Sequence, residues 1–168
     1  LLTQNLNELN FQIFNICFPN RNTDVGAILN DYLNGKTILS PEVAHLLFSA
    51  NRWEMQKIIK NLLDDGINVI SDRYFYSGVA YSHSKGLDID WCMSSDKNLI
   101  IPDIVFYLDL DLKIAEKRNG FGMEIGEDII NQSKVKKSYD VFKKLPNWVQ
   151  LDANKDIVDL EYEIMEKV

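Results

Sequence analysis

Short apolar runs alternate with longer amphipathic segments along most of the chain. Runs of this length, bounded by polar or turn residues, favour β-strands. The predicted strands are Phe11–Cys17, Ile67–Ser71, Ile104–Leu110 and Trp148–Leu151. Apolar strands that are separated by helices are typical of a parallel sheet covered on both faces. We therefore predict a three-layer α/β fold, formed as one domain over residues 1–168.

Helical segments occupy the gaps between these strands. The best marked helix begins at Ser40, a good N-cap that is followed by Pro41 and Glu42, and it should run to about Asp65, before Gly66. The other predicted helices are Leu2–Leu9, Asp24–Leu33, Asp111–Arg118, Asp128–Leu145 and Asp156–Val168.

Polar segments follow three of the predicted strands. They are Phe18–Arg21, Asp72–Tyr74 and a glycine-bearing stretch at about 119–126. Ligands of parallel sheets bind beyond the carboxyl ends of the strands. We therefore expect the functional side chains in these three segments.

Composition and charge narrow the range of partners. The net charge is −7, which argues against tight binding to a nucleic-acid backbone but leaves room for a small anion held by a few arginines. No apolar run reaches the length of a membrane span, and we expect a protein of the cytoplasm or the nucleus. Cys17 and Cys92 lack metal-ligand spacing, and we expect both to be buried free thiols.

Asp72 and Arg73 lie together at the end of one predicted strand. A strand-end aspartate resembles the Walker B position, where a carboxylate lies near a Mg²⁺ ion that bridges phosphates. Arg73 is a permanent planar cation suited to binding phosphate through two hydrogen bonds. The alternatives are a helix-capping or loop acid at Asp72 and an internal salt bridge at Arg73.

Phe48 and Arg52 are four residues apart and share a helix face. Together they can stack on a base and donate to its edge. From spacing alone, the favoured interpretation is a core role for Phe48 and an ion pair of Arg52 with Glu42 or Glu54.

Two further features complete the candidate site. Arg21 follows Phe18-Pro19 and is placed to reach a phosphate, although a solvated arginine would look the same. The segment at about 119–128 is a candidate lid over the phosphates, with an ordinary loop as the alternative. Arg118, at its base, is a candidate for stabilising a transferred phosphoryl group.

Several long motifs resemble one family in their type and order. Phe18-Pro19-Asn20-Arg21 resembles the FPxR motif of thymidylate kinases. The run LLFSANRWE at 46–54 resembles the eukaryotic and poxvirus-like branch of that family, and DRY at 72–74 with SGVAY at 77–81 resembles another family motif. The resemblance covers nearly the whole chain, and it implies the P-loop NTPase-like fold of a nucleoside monophosphate kinase.

The resemblance also implies a reaction and its participants. It implies transfer of the γ-phosphoryl group of ATP to dTMP, with Mg²⁺ held by Asp72 through water, in a homodimer. Asp72, Arg73 and Arg118 would act in catalysis. The acceptor nucleotide would be bound by residues from several segments: Arg21, Phe48, Arg52, Arg73, Ser77, Gly78, Tyr81 and Gln132. The ATP base would lie near Ala153, Asn154 and Lys155.

The sequence departs from the family pattern at three places. The sequence contains no GxxxxGK[ST] loop, so we expect either an incomplete sequence or a degenerate protein. The lid stretch has Ile125 and Gly126 where the family often has arginine and tyrosine, and Asn131 replaces a phenylalanine. The alternatives to a thymidylate kinase are a nucleotide-binding protein without a donor site and a kinase for another nucleoside monophosphate.

Overall fold

The computed structural model describes residues 2–117, 122, 124–126 and 128–168. In these ranges the strands are β1 (Ile13–Cys17), β2 (Asn68–Asp72), β3 (Val105–Asp109) and β4 (Trp148–Asp152). The α-helices are α1 (Leu2–Glu8), α2 (Asp24–Leu33), α3 (Pro41–Asp64), α4 (Phe75–Ser84), α5 (Ile89–Ser95), α6 (Leu112–Ala115), α7 (Ile129–Ser138) and α8 (Ile157–Met165). A 3-10 turn at Tyr139–Phe142 continues α7.

The strands pair in parallel, as predicted, but in two separate ladders. β1 pairs with β2, and Cys17 lies opposite Asp72 at the end of that ladder. β3 pairs with β4, and Asp109 lies opposite Asp152. Within the described residues, β2 and β3 do not hydrogen-bond to each other. The parallel pairing brings the ends of β1 and β2, and the loops that follow them, side by side.

Helix α3 has the start and the end that its sequence predicts. The Ser40 side chain accepts a hydrogen bond from the Val43 backbone N–H at 3.3 Å, and Pro41 occupies the first turn. Gly66 follows the helix with φ +76°, a conformation that favours glycine. The helix also buries four polar side chains: His45, Ser49, Asn51 and Arg52.

Two apolar clusters hold the elements together. One packs β1 and its loop on α3 through Ile16, Phe18, Met55 and Ile59. The larger cluster joins α4, α5, α7 and the 3-10 turn, and Val105 of β3 and Trp148 of β4 pack against it. Its buried residues are Phe75, Tyr76, Val79, Ala80, Cys92, Leu99, Val135 and Phe142. α3 belongs to the first cluster and α4 to the second, and both contribute to the cavity described below.

Some local predictions were wrong. Helices α4 and α5 were not predicted, and α7 ends at Ser138 instead of Leu145 because the chain tightens into the 3-10 turn. Cys92 is buried, but Cys17 is exposed because it lies at the open end of β1. Among the described helices, none is both long and apolar enough to cross a membrane.

Candidate active site

One cavity of about 180 Å³ collects most of the residues predicted to bind the acceptor. Its walls are the loop after β1, the end of α2, the first half of α3, one side of α4 and residues 124–125. The predicted residues that line it are Arg21, Phe48, Arg52, Arg73, Ser77, Gly78 and Tyr81. Side chains that are up to 60 positions apart in sequence therefore share one surface.

The loop that carries Arg21 is fixed against α3 by a buried amide. The Asn20 backbone N–H donates to Asn51 Oδ1 at 2.7 Å, and Asn51 Nδ2 donates to Asn20 O at 3.1 Å and to Thr23 Oγ1 at 2.9 Å. Asn51 is fully buried. A Cβ atom on Gly26 would lie 1.9 Å from Asn20 O, so only glycine allows α2 to approach this loop so closely.

Arg21 lies at the mouth of the cavity. Its Nη2 donates to Glu124 Oε1 at 2.5 Å, and its Nη1 donates to Asn30 Oδ1 at 2.8 Å. The Arg21 side chain is 42% exposed, so a ligand can reach the guanidinium from solvent. The backbone N–H of Ile125 donates to Leu33 O at 3.2 Å and fixes the 124–125 segment over α2.

Arg73 adopts a left-handed backbone conformation with φ +65° immediately after β2. Its carbonyl oxygen accepts a hydrogen bond from Ser71 Oγ at 2.5 Å. The guanidinium carbon lies 5.5 Å from the centre of the Tyr81 ring. The internal salt bridge considered for Arg73 is not present among the described residues, where its cation faces the cavity and a ring.

Asp72 lies at the end of β2, beside the cavity but not in its lining. Its Oδ2 is 3.7 Å from Cys17 Sγ, and partial burial of the thiol together with this carboxylate raises the pKa of Cys17. No group of three or more potential metal ligands occurs among the described residues. Asp72 alone still fits Mg²⁺, because this ion commonly uses one or two carboxylates and completes its shell with water and phosphate oxygens.

Arg52 forms neither of the ion pairs that its spacing left open. Its partner is Asp96, which follows α5: Nε donates to Oδ1 at 3.0 Å and Nη2 donates to Oδ2 at 2.7 Å. The two side chains are 2% and 1% exposed. Phe48, one turn earlier, lines the cavity with its ring centre 6.5 Å from that of Tyr32.

Gln132 reaches the site through Tyr81. Its Nε2 donates to Tyr81 Oη at 3.1 Å and to Gly126 O at 2.8 Å. Ser77 Oγ and Tyr139 Oη lie 2.8 Å apart, within hydrogen-bond distance. Burial raises the pKa of the Tyr139 phenol, so the proton stays on this hydroxyl at neutral pH.

The residues predicted to lie near ATP are not in this cavity. Ala153, Asn154 and Lys155 follow β4, where the Ala153 N–H donates to Asp109 O at 2.8 Å and Lys155 pairs with Glu163. Arg118 and residues 119–121, 123 and 127 of the predicted lid lie outside the described residues. Their predicted roles remain predictions.

Several lining or supporting residues were not predicted. Lys85 Nζ donates to Tyr32 Oη at 2.9 Å, and both residues line the cavity. Asn51 stands inside the LLFSANRWE motif at 46–54, and Lys85 follows the SGVAY motif at 77–81. Their positions in the sequence could therefore have marked them as candidate site residues. Asp96 gave no signal, because it lies 44 positions from the arginine that it binds.

Taken together, the site offers two arginines near adjacent strand ends, a half-buried phenylalanine and a carboxylate beside them. These side chains suit a ligand in which an anion is joined to a flat aromatic group. They lie at the strand ends of an α/β fold, where parallel sheets bind their ligands. The fold and the site define the class of nucleoside monophosphate kinases.

Comparisons with known proteins identify the family. A family model described as thymidylate kinase matches residues 1–164. The chain is 43% identical to a thymidylate kinase of Plasmodium falciparum over all of this chain and 80% of that protein. It is 40% identical to the Homo sapiens thymidylate kinase, with 83% of this chain and 68% of that protein covered.

A solved structure agrees with the sequence matches. The thymidylate kinase of Candida albicans superposes with a TM-score of 0.88 at 36% identity, covering 97% of this chain and 82% of that chain. The chain therefore belongs to the thymidylate kinase family. The predicted family, the predicted fold class and the prediction of an enzyme are confirmed.

Proposed function

We propose that the protein transfers the γ-phosphoryl group of ATP to dTMP, and that dTMP binds in the cavity between α3 and α4. Family membership supports the reaction. The observation that carries the assignment of the cavity is that Arg21, Arg73 and Phe48, which come from three separate segments, line the same cavity.

In this proposal each wall of the cavity recognises one part of dTMP. The guanidinium groups of Arg21 and Arg73 hold the phosphate, since arginine binds phosphate oxygens through paired hydrogen bonds. Phe48 stacks on thymine, and Arg52 donates to the edge of the base. Tyr81 lies against the deoxyribose, with Gln132 holding its hydroxyl at 3.1 Å. Ser77 and Gly78 shape the wall of the cavity.

The same residues account for the chemistry. Phosphoryl transfer depends mainly on positioning and on neutralising charge. Arg73 lies next to Asp72, so the acceptor phosphate and a metal site are adjacent in the chain. We propose that Asp72 holds Mg²⁺ through water. When it is bound, this ion neutralises charge on the transferred phosphoryl group. Arg118 and Ala153–Lys155 are proposed for the donor side.

A coupled assay of ADP release tests the reaction. We expect turnover of dTMP by the full-length protein with ATP and Mg²⁺, and slower turnover of other nucleoside monophosphates in competition. Calorimetry separates binding from catalysis, because dTMP should bind without ATP. Absence of both dTMP binding and turnover would contradict the proposal.

We further propose a homodimer located in the cytoplasm or the nucleus. Family resemblance supports the dimer. Sedimentation of the full-length protein at micromolar concentration should give twice the monomer mass, and imaging of a tagged protein tests the location. A monomer at all concentrations would contradict the first part.

A further inference from the structure

We propose that Asp96 is a positioning residue that sets the orientation of the Arg52 guanidinium toward the acceptor base. This inference rests on the proposed function, because it takes the cavity to be the dTMP site. Asp96 is not part of the cavity lining, and it acts only through Arg52.

The contact between the two side chains fixes the plane of the guanidinium. Nε and Nη2 of Arg52 each donate to a different oxygen of Asp96, at 3.0 and 2.7 Å. Two parallel bonds of this kind define direction as well as distance. Asp96 does not use the Nη1 group, which lies outside the edge formed by Nε–H and Nη2.

Asp96 is itself held in place. Its Oδ1 accepts a hydrogen bond from Ser49 Oγ at 2.8 Å, and Ser49 also donates to Ser95 O at 3.0 Å. Ser49, Arg52 and Asp96 are all buried. Carboxylate and guanidinium therefore have little room to move independently of α3.

Gly78 closes the other side of the guanidinium. A Cβ atom at this position would lie 2.8 Å from both Nη1 and Nη2 of Arg52. The guanidinium is thus confined between Asp96 and the backbone of α4. Gly78 belongs to the predicted acceptor pocket, so this confinement occurs at the cavity wall.

The fixed orientation of the Arg52 guanidinium affects which pyrimidine base the cavity accepts. An arginine can only donate hydrogen bonds. A guanidinium fixed in one plane favours a pyrimidine with a carbonyl oxygen at the position it faces and disfavours one with an amino group there. A guanidinium that rotates freely would discriminate less, because it could withdraw from the amino group.

The test compares Asp96→Asn with Asp90→Asn, an exposed aspartate in α5 that serves as a matched control. For Asp96→Asn we expect the KM for dTMP to rise about 10-fold or more, with the KM for ATP changed less than 2-fold. The preference for dTMP over dCMP should fall by a similar factor. Asp90→Asn should match the parent protein in all three measurements.

A spectroscopic measurement tests the contact without any nucleotide. In the free protein, the Arg52 Nε–H should give a slowly exchanging NMR signal, assigned by its loss in Arg52→Lys. The signal should exchange rapidly in Asp96→Asn and persist in Asp90→Asn. This NMR result does not depend on whether dTMP is the substrate. Failure of the proposed function can therefore be distinguished from failure of the positioning role of Asp96.

Ser49→Ala covers the case in which Asp96→Asn does not fold. It removes one hydrogen bond from Asp96 and keeps both charges, so we expect a KM for dTMP raised about 2- to 5-fold and faster exchange of the Arg52 signal. A folded Asp96→Asn with an unchanged KM and unchanged base preference would overturn the proposal. If only Ser49→Ala folds, parent-like values for that variant would overturn it as well.

Discussion

At the scale of single residues, Arg73 combines a position in the cavity wall with an unusual backbone conformation. Its φ of +65° costs a non-glycine residue energy, and the hydrogen bond from Ser71 to its carbonyl oxygen helps to offset that cost. We predict that Arg73→Ala lowers kcat/KM for dTMP about 10- to 100-fold, since a hydrogen bond to a charged group contributes about 1.5–3 kcal/mol. Steady-state kinetics measure this loss.

The control for this prediction is Lys57→Ala. Lys57 is an exposed cation on α3 outside the cavity, so its removal should leave kcat/KM unchanged. Unchanged kinetic constants in Arg73→Ala would mean that Arg73 is structural.

Gly26 gives a second prediction at this scale. A Cβ atom there would lie 1.9 Å from Asn20 O, and that contact is with backbone rather than a flexible side chain. We expect Gly26→Ala to displace the loop that carries Arg21, to lower the free energy of unfolding by about 1–3 kcal/mol and to weaken dTMP binding. Thermal unfolding and calorimetry measure the two effects.

Gly35→Ala is the control that separates the effect of backbone strain from the effect of displacing the loop that carries Arg21. Gly35 has φ +71° with no atom near its Cβ position, so alanine there should cost about 1–2 kcal/mol without changing dTMP affinity. Equal affinity loss in both variants would contradict the role assigned to Gly26.

Whether a residue of the site could be predicted from the sequence depends on how far along the chain its contact partner lies. Arg21, Phe48 and Arg73, which line the cavity, were predicted as site residues because each stands in or beside a long motif. Asp96 was not predicted, because it acts on a residue 44 positions away. Asn51 stands inside the LLFSANRWE motif, but its contact with the Asn20 backbone 31 positions away was not predicted. The spacing of Arg52 suggested Glu42 or Glu54 instead, and only the packing of α5 on α3 brings Asp96 to it.

At the scale of secondary-structure elements, His45 joins three helices. Its Nδ1 lies 2.8 Å from Ser82 Oγ of α4, and its Nε2 lies 3.0 Å from Cys92 O of α5. Burial, together with the charge of Arg52, lowers the pKa of His45 below its ordinary value of 6.5. The folded protein therefore resists protonation of this ring more than the unfolded chain does.

This pKa shift predicts how stability depends on pH. Above pH 6.5 the ring is neutral in both states, so its contribution is fully present. Below pH 6.5 the unfolded chain takes up a proton first, and stability falls by at most about 1.4 kcal/mol per pH unit until the lowered pKa is reached. Denaturant unfolding between pH 7 and pH 5 should show this loss.

The second histidine provides the control. His83→Gln should keep the acid-side loss of stability, whereas His45→Gln should reduce it while lowering stability at pH 7. An identical pH dependence in parent protein and His45→Gln would show that His45 does not titrate differently on unfolding.

Glu124 and Ile125 form a second part of the cavity wall, next to α2. Glu124 pairs with Arg21, so in our proposal a bound phosphate competes with this carboxylate for the same guanidinium. Exposed ion pairs are worth about 0.2–1 kcal/mol. We therefore expect Glu124→Gln to tighten dTMP binding by up to about 5-fold in calorimetry.

Asp31→Asn is the matched control for this substitution. Asp31 is an exposed acid on α2 that pairs with Lys36, so its loss should leave dTMP affinity unchanged. Weaker dTMP binding in Glu124→Gln would show that Glu124 supports the phosphate site instead of competing for it.

Helices could be predicted from the sequence where residues at their ends mark them clearly. α3 was predicted within one residue because Ser40, Pro41 and Gly66 mark its ends. α4 was missed because its sequence, rich in aromatic residues and serine with a glycine, has weak helix propensity, and its N-cap Tyr74 makes no side-chain capping bond. Packing of Val79 and Ala80 in the larger apolar cluster stabilises it instead. α5 carries a recognisable start in its sequence, because Asp88 is an N-cap that accepts a hydrogen bond from the Trp91 N–H.

At the scale of the whole molecule, the net charge of −7 contrasts with the cations around the cavity. Arg21, Arg52, Arg73 and Lys85 all line it. Asp96 neutralises Arg52, whereas Arg73 and Lys85 lie against tyrosine rings and keep their charge available. A molecule that is acidic overall thus presents a locally cationic cavity that suits a small anion.

Because the cavity is walled by several elements, a ligand bound there should stabilise the whole fold. A ligand at 100 times its Kd adds about 2.7 kcal/mol, which for a domain of this size raises Tm by about 5–10 °C. We expect this shift with dTMP in thermal unfolding of the full-length protein, and a clearly smaller one with thymidine, which lacks the phosphate. In Arg73→Ala the dTMP shift should fall toward the thymidine value, because the phosphate then loses one of its two arginines. Equal shifts for dTMP and thymidine in the parent protein would place the phosphate outside the reach of Arg21 and Arg73.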